Sequence, residues 1–299
     1  LQYLDIAYPE AAPISDQVVI FQSNLFAQYT GVTISFQLPR EWQADYWSDS
    51  GAFGWVISDA EPSEVFWYAN RTFDELLLGA MLFKPDDSDD PASTQFNEFK
   101  NDAILSSTEL VEFEVNSRLG AYKLSEGEIS GMVIKDQMIL MLFGDYPEGK
   151  ETAYKDGIDT IFKTWDWVEI PDMDFSALDL FGNRLEGQLT VEHEMEGHIA
   201  MHSVSEWILD GATDQIVAIT IDAQNQEVSQ IMGDGTDILE AKLFVDILDE
   251  NGESILASGL ISFTGHLEQE PIQLPSDGIY FLRVYAQDEW YGRYKISLD

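Results

Sequence analysis

After residue 175 the hydrophobic pattern of this chain loses its helical period, and that change limits the folds open to it. Short apolar or alternating runs follow one another with turn residues between them: "GQLTVEHEMEGHIAMH", "EWILDGATDQIVAITIDA", "AKLFVDILDENGESILASG" and "DGIYFLRVYAQDEWYGRYKISL". Strands have a side-chain period of two, and glycine turns at even spacing separate them. A long run of strands without a helix must bury one sheet face against another. Residues 176–299 are therefore expected to form an all-β sandwich or barrel.

Upstream the texture is mixed. Strand signals occur at "VVIFQS" (18–23) and "YTGVTISFQLP" (29–39), where Val32, Ile34, Phe36 and Leu38 alternate. "ELLLGAMLFKP" (75–85) reads as a buried strand ended by Pro85. The acids Asp86, Asp87, Asp89 and Asp90 read as a helix start, with Asp90 as N-cap and Pro91 in the first helical position. Ala92, Phe96, Phe99 and Ala103 then share one helical face. Four strands are expected at 109–115, 118–125, 128–135 and 137–147. A helix follows over 150–165, with Tyr154, Ile158, Ile161, Phe162 and Trp165 on one side. "WVEIPDMD" with Pro171 is a linker candidate, and residues 1–17 read as an aperiodic leader. The expected organisation is a domain over 18–170, a linker at 171–175 and a second domain over 176–299.

Composition narrows the function classes. At 45% apolar residues, 299 residues can build packed cores. The longest apolar run, "MILMLF" (138–143), has the length of a strand, so no membrane span is expected. The first residues carry no basic segment and no long apolar core, so a signal peptide is read as absent or removed. There are no cysteines, which excludes disulfides, thiolate nucleophiles and cysteine metal sites. Fifteen basic against 55 acidic side chains give a net charge of −40, with acids throughout the chain. Such a surface repels nucleic acid and anionic membranes and attracts divalent cations.

Two resemblances rest on particular stretches. The strand "GVTISFQLPREW" (31–42), closed by a proline and a tryptophan, is followed by strands, a helix, more strands and an amphipathic helix before "WDWVEI". That order resembles the PsbP-like family over about residues 18–169. It implies an α/β/α sandwich with a central antiparallel sheet and a non-enzymatic role. Residues 206–223, 237–259 and 277–298 resemble the bacterial pre-peptidase C-terminal domain, with Gly278, Tyr280, Val284, Gly292, Tyr294 and Ile296 in its closing strand pair. This resemblance implies a jelly-roll-like β-sandwich on a secreted protein, sometimes binding polymers or calcium.

Candidate metal ligands are acids around glycines. In "DILDENGES" (246–254), placing Gly252 at position 6 of a calcium loop puts Asp249 at position 3 and Asn251 at position 5. Ile247 and Ser258 then occupy positions that need oxygen ligands. The alignment fails at both ends, and an Asn251–Gly252 hairpin turn accounts for the glycine. Asp246 remains odd, because it should share a strand face with Phe244 and Leu248. Asp234 and Asp237 flank a glycine-rich loop able to wrap a cation. "HEMEGH" (193–198) fails as a zinc site because its histidines are five apart and the surroundings are strand-like. No nucleophile elbow, P-loop or dinucleotide fingerprint occurs. With 55 acids, no catalytic carboxylate pair stands out.

Aromatic residues are the candidate binding surface: Trp47, Trp67 and Tyr68 beside polar turn residues, and Trp290 and Tyr291 at an expected hairpin tip. The expectation is a non-catalytic, exported or cell-surface protein of two domains. The first is an α+β sandwich with a central antiparallel sheet, and the second an all-β jelly-roll-like sandwich. Its partner is read as an extracellular polymer or protein, with no cofactor other than calcium through Asp234, Asp237, Asp246 and Asp249. The rival readings are a secreted hydrolase using paired carboxylates and an accessory piece of a larger secreted protease-like polypeptide.

Overall fold

A computed structural model describes residues 17–23, 32–49, 52–59, 76–85, 91–105, 108–169, 182–191, 193–199, 203–224, 242–261, 266–287 and 292–298. The chain divides into two compact units. One comprises Gln22–Ala60 and Glu64–Ser176; the other comprises Ala177–Asp299 with Leu1–Phe21 and Glu61–Ser63. The division falls inside the first strand, β1 (Val18–Ser23).

The first unit contains β2 (Val32–Pro39), β3 (Gln43–Asp49), β4 (Ala52–Ser58), β5 (Leu77–Phe83), α1 (Ala92–Leu105), β6 (Leu110–Val115), β7 (Arg118–Ser125), β8 (Glu128–Lys135), β9 (Met138–Asp145), α2 (Glu151–Thr164) and β10 (Asp166–Glu169). Seven strands form one antiparallel sheet in the order β3-β4-β5-β9-β8-β7-β6. From β6 to β9 it is a meander with two-residue turns at Asn116–Ser117, Glu126–Gly127 and Asp136–Gln137. Every residue in these turns has positive φ, between 48° and 89°. Turns of that kind match the right-handed twist of the strands they join.

Successive side chains of β7 and β8 point to opposite faces, and each face receives one helix. Ala121, Met132 and Ile134 pack with Ala92 and Phe96 of α1. On the other face the Tyr122 and Phe162 rings stack with centroids 4.8 Å apart. Ala92, Phe96 and Ala103 are buried as their helical spacing predicts, and so are Tyr154, Ile158, Ile161, Phe162 and Trp165. The first helix starts at Ala92, one residue later than expected, with the Pro91 carbonyl accepting from the Gln95 N–H at 3.2 Å.

Two close approaches hold α2 in place. A Cβ on Gly131 would lie 2.3 Å from the Phe162 ring, and one on Gly157 would lie 2.5 Å from Trp42. A glycine inside a helix costs about 1 kcal/mol relative to alanine, so Gly157 exchanges helix propensity for contact with Trp42. At the end of α2, Trp165 stacks on Phe36 with centroids 4.2 Å apart and planes 4° from parallel. Asp59 accepts from the Tyr154 hydroxyl at 2.7 Å and from the Leu76 N–H at 2.8 Å, tying the end of β4 to the start of β5 and to α2. The strand after α2, β10, pairs antiparallel with β2 from Asp166–Ser35 to Glu169–Val32, so the start of "WVEIPDMD" is strand and the expected 171–175 linker lies outside the described residues.

The second unit contains β11 (Gly182–Gln188), β12 (Met195–Ile199), β13 (Ser203–Gly211), β14 (Ile216–Gln224), β15 (Lys242–Leu248), β16 (Ser254–Ile261), β17 (His266–Gln273), β18 (Gly278–Gln287) and β19 (Gly292–Leu298). Strands β11-β13-β18-β15-β16 are neighbours in one sheet and β12-β19-β14-β17 in another. All these pairings are antiparallel except β11 with β13. One core joins the two sheets: Trp207, Val245, Ile247, Leu282 and Val284 from the first meet Ile199, Ile219, Ile221, Tyr294 and Ile296 from the second. Pro271, which has no N–H to donate, lies on the edge strand β17 where the pairing with β14 shifts register.

Gly131→Val is expected to destabilise the first unit by about 1–3 kcal/mol, because Phe162 and the Cβ of Tyr122 already fill the space. Urea melts of the single and double variants check this. Phe162→Leu combined with Gly131→Ala should cost less than the sum of the two single changes, since both act on the same contact.

Candidate functional site

Among the described residues the structure gathers titratable groups at three places in the second unit. The first lies between the sheets. Arg184 and Glu186 alternate on β11 and point into the core, where Glu186 has no exposed surface. Its Oε1 accepts from Arg184 Nε at 2.9 Å, the His198 backbone N–H at 2.7 Å and Ser205 Oγ at 3.1 Å. Ser205 Oγ lies 2.6 Å from the Tyr294 hydroxyl, which accepts from Trp207 Nε1 at 2.7 Å. Indole can only donate and Ser205 donates to Glu186, so the Tyr294 hydroxyl donates to Ser205. The four groups form one directed chain of hydrogen bonds ending on a carboxylate, in which each bond polarises the next. Burial first, and the nearby Glu186 charge second, push the Tyr294 phenol up from its ordinary value.

A serine bonded to a carboxylate suggests nucleophilic catalysis, but the geometry argues otherwise. Ser205 and Tyr294 have no exposed surface, and the Ser205 proton is aimed at a carboxylate that Arg184 already neutralises. The cluster ties β11 and β13 of one sheet to β12 and β19 of the other.

The second place is the opposite face of the first sheet. Register sets Glu206, Arg283 and Asp246 side by side on β13, β18 and β15. All three are buried. Arg283 Nε donates to Glu206, Asn183 Nδ2 donates to Glu206 Oε1 at 3.3 Å, and the Tyr285 hydroxyl donates to Asp246 Oδ2 at 3.0 Å. Burial pushes the Glu206 carboxyl up against the pull of the Arg283 guanidinium. Asp246 does share its strand face with Phe244, which stacks on Tyr285 at 5.4 Å. The acid belongs there because the neighbouring strand supplies an arginine and a tyrosine hydroxyl.

The third place is the turn after β15. Asp249 Oδ1 accepts from the backbone N–H of Asn251 at 2.9 Å and of Glu253 at 2.8 Å. The Asp249 N–H donates to the Glu253 carbonyl at 2.9 Å, and Gly252 has φ 77°. The loop is therefore a wider turn organised by the aspartate, and only the glycine of the expected Asn251–Gly252 pair has positive φ. The Glu253 N–H, with help from Asn251, holds the Asp249 carboxyl below its ordinary range. Asp277 is held down in the same way by the N–H and hydroxyl of Thr213.

Trp47 lies on β3, with its backbone opposite Gly54, and its side chain falls outside the described residues. Trp67, Tyr68, Trp290, Tyr291, Asp234 and Asp237 also lie outside them. Among the described residues no group of three or more histidine or acidic side chains could hold a metal ion. His198 is buried in β12, whereas His193 is exposed before that strand begins.

One surface escaped the sequence pattern. Met141 and Phe143 on β9, within the longest apolar run of the sequence, are 36% and 43% exposed. They share the sheet face on which α1 packs, because Met141 is opposite Met132. The sheet is seven strands, or about 29 Å, wide, and a helix with its side chains covers only about 10 Å.

No protein-family model matches the chain, and no curated protein matches it. Among solved structures, one similar chain is the pre-peptidase C-terminal domain of a collagenase from Bacillus anthracis. It has 16% identity over 38% of this chain and 93% of that domain, with a TM-score of 0.25. Another is cyanobacterial PsbP from Synechocystis sp. PCC 6803, with 11% identity over 54% of this chain and 98% of that protein, and a TM-score of 0.31. Both are distant resemblances in fold.

Tyr294→Phe is expected to cost about 1–3 kcal/mol in a urea melt, because it leaves the Trp207 N–H without its acceptor. Glu186→Ala should cost more, about 3–5 kcal/mol, because it removes the buried carboxylate to which Arg184, Ser205 and the His198 N–H all donate. The Asp249 turn gives a signed pH dependence. A depressed carboxyl pKa adds stability above the ordinary value of 3.8 and loses it as pH falls through the folded-state value. Asp249→Ala should therefore melt at a lower temperature than the natural chain at neutral pH. Scans at successively lower pH should show the gap closing below 3.8.

Proposed function

We propose that this chain is a non-catalytic binding or accessory module of an exported or cell-surface protein, recognising an extracellular polymer or protein. We take residues 18–170 and 176–299 as its two domains, joined at 171–175. The observation that carries the reading is the state of the buried carboxylates. Glu186, Glu206 and Asp246 are each out of water and each bonded to a donor on the same or a neighbouring strand. A carboxylate in that position holds strands together and has no free path to a substrate. The surface, by contrast, is strongly acidic and carries the exposed Met141–Phe143 strip. Solubility and recognition are what such a surface supports.

The acids also support loose recruitment of calcium at the surface. Asp246 and Asp249 are engaged by protein donors. The melting temperature is therefore expected to be the same in millimolar calcium and in EDTA. A large calcium-dependent rise would place a structural ion in the chain.

The function itself is tested by presenting the full chain to peptide and polysaccharide arrays while assaying the same materials for release of soluble products. Binding without turnover across the pH range is the expected outcome. Product release that disappears on substituting a single carboxylate would overturn the reading in favour of a hydrolase.

A further inference from the structure

The turn that joins β15 to β16 holds a reactive pair. Of the eight asparagines in the sequence, Asn251 is the one followed by glycine. Both Asn251 and Gly252 are exposed. Gly252 has no Cβ to crowd its amide nitrogen, and its φ of 77° is a conformation that glycine holds without strain. The Asn251 side-chain amide makes one bond, from Nδ2 to Asp249 Oδ2 at 3.4 Å, longer than an ordinary hydrogen bond. Its carbonyl carbon is thus open to water and within a five-membered ring of an uncrowded nitrogen. Asparagine is a thermolabile residue, and this is the setting in which its amide is lost.

The other described asparagines each lack one of these conditions. Asn97 and Asn101 lie in α1, where helical bonding engages the N–H that follows. Asn183 lies in β11, half-buried and bonded to Glu206. Asn116 is exposed in the turn before β7, but Ser117 follows it, and the serine Cβ crowds the nitrogen.

We propose that Asn251 is a self-modification site: the Gly252 nitrogen attacks its side-chain carbonyl and converts it to aspartate and isoaspartate, at a rate that Asp249 sets. The step balances with water alone. Hydroxide takes the Gly252 amide proton, and the nitrogen bonds to Asn251 Cγ. The Cγ–Nδ2 bond breaks, and the leaving group takes a proton from water to depart as ammonia, which restores the hydroxide. Water then opens the cyclic imide. Addition at Cγ gives aspartate. Addition at the main-chain carbonyl gives isoaspartate, with the chain running on through Cγ.

Asp249 holds the reaction back. Its carbonyl accepts from the Gly252 N–H at 3.0 Å, so the nucleophile is engaged while the turn is closed. Its Oδ1 accepts from the Asn251 and Glu253 N–H groups at 2.9 and 2.8 Å, and its own N–H donates to the Glu253 carbonyl at 2.9 Å. The turn must open before the nitrogen reaches Cγ, and exposed loops are where local opening is easiest. Conversion then changes the turn itself. Isoaspartate adds one main-chain atom between Asp249 and Glu253, the two residues whose bonds close it. Either product adds a negative charge next to Glu250 and close to Glu253.

The test incubates the full chain at mildly alkaline pH and physiological temperature and follows Asn251 by peptide mapping. The readout is the mass gain of amide-to-acid exchange, with isoaspartate separated chromatographically and an Asn251→Asp chain as reference. A synthetic peptide of residues 244–256 gives the rate without the folded turn. Conversion at Asn251 is expected ahead of Asn116, and slower in the chain than in the peptide. Asp249→Ala should speed it about tenfold, the scale set by losing two exposed hydrogen bonds. Asp249→Ser keeps a hydroxyl to accept a backbone N–H, so its rate should lie between the natural chain and Asp249→Ala. Far-UV circular dichroism matched to the natural chain keeps the two variants comparable. A natural chain unmodified at Asn251 while the peptide converts completely would overturn the site. Equal rates in the natural chain and both Asp249 variants would overturn the control by Asp249.

Discussion

A carboxylate with no contact with water must be surrounded by donors, and Glu186 shows how much structure that demands. Burying an ionised carboxylate is penalised by several kcal/mol even after the protein relaxes, so partial satisfaction does not suffice. Here an arginine from the same strand, a backbone N–H from β12 and a hydroxyl from β13 converge on one oxygen. Each donor fixes a strand position. The Arg184–Glu186 alternation sets the inward face of β11, and Ser205 aligns β13 beside it. Tyr294 carries the same network to the opposite sheet. Apolar contacts supply most of the attraction between the sheets, but they tolerate sliding. The hydrogen-bond chain allows one alignment.

The chain thus treats its acids in two ways. Most contribute to a surface of high negative charge, where solvent screens them and each contributes little. Among the described residues three are buried in the second unit and organise it, one between the sheets and two on the outer face of one sheet. The row Glu206–Arg283–Asp246 works across strands as Glu186 works across sheets, and in each an arginine donates to a buried carboxylate. With so few basic side chains in the whole protein, placing Arg184 and Arg283 in buried positions is a large commitment of positive charge.

Much of the first unit was legible because its helices and strands obey binary patterning. Ala92, Phe96 and Ala103 face the sheet as their spacing predicts, the inward faces of β2 and α2 follow from periodicity, and strands β6 to β9 fall where their apolar runs do. The second unit's β character was equally plain, but not its organisation. In β11, "GNRLEGQ", two inward positions are charged, so the pattern that identifies a half-buried strand is absent. Asp246 stood out as an oddity, yet its explanation required knowing that β18 lies next to β15. Strand order is set by tertiary contacts, and no local signal carries it. The Met141–Phe143 strip was hidden for the opposite reason. A continuous apolar run reads as buried on both sides, and only the width of the sheet against that of one helix shows that part of a face stays open.

The three tight turns of the β6–β9 meander set the order in which the first unit assembles. Each closes a loop of two residues, so the chain entropy lost in bringing those strands together is small and contacts form between near neighbours in sequence. Joining β5 to β9 spans more than fifty residues and includes α1. Loop-closure entropy must be lost there before any pairing is gained, which makes this the slower event. The meander is thus a local folding unit whose exposed edge, β9, waits for β5. Until they meet, the apolar strand "MILMLFGD" has an unpaired side, and that interval is when the protein is most open to aggregation.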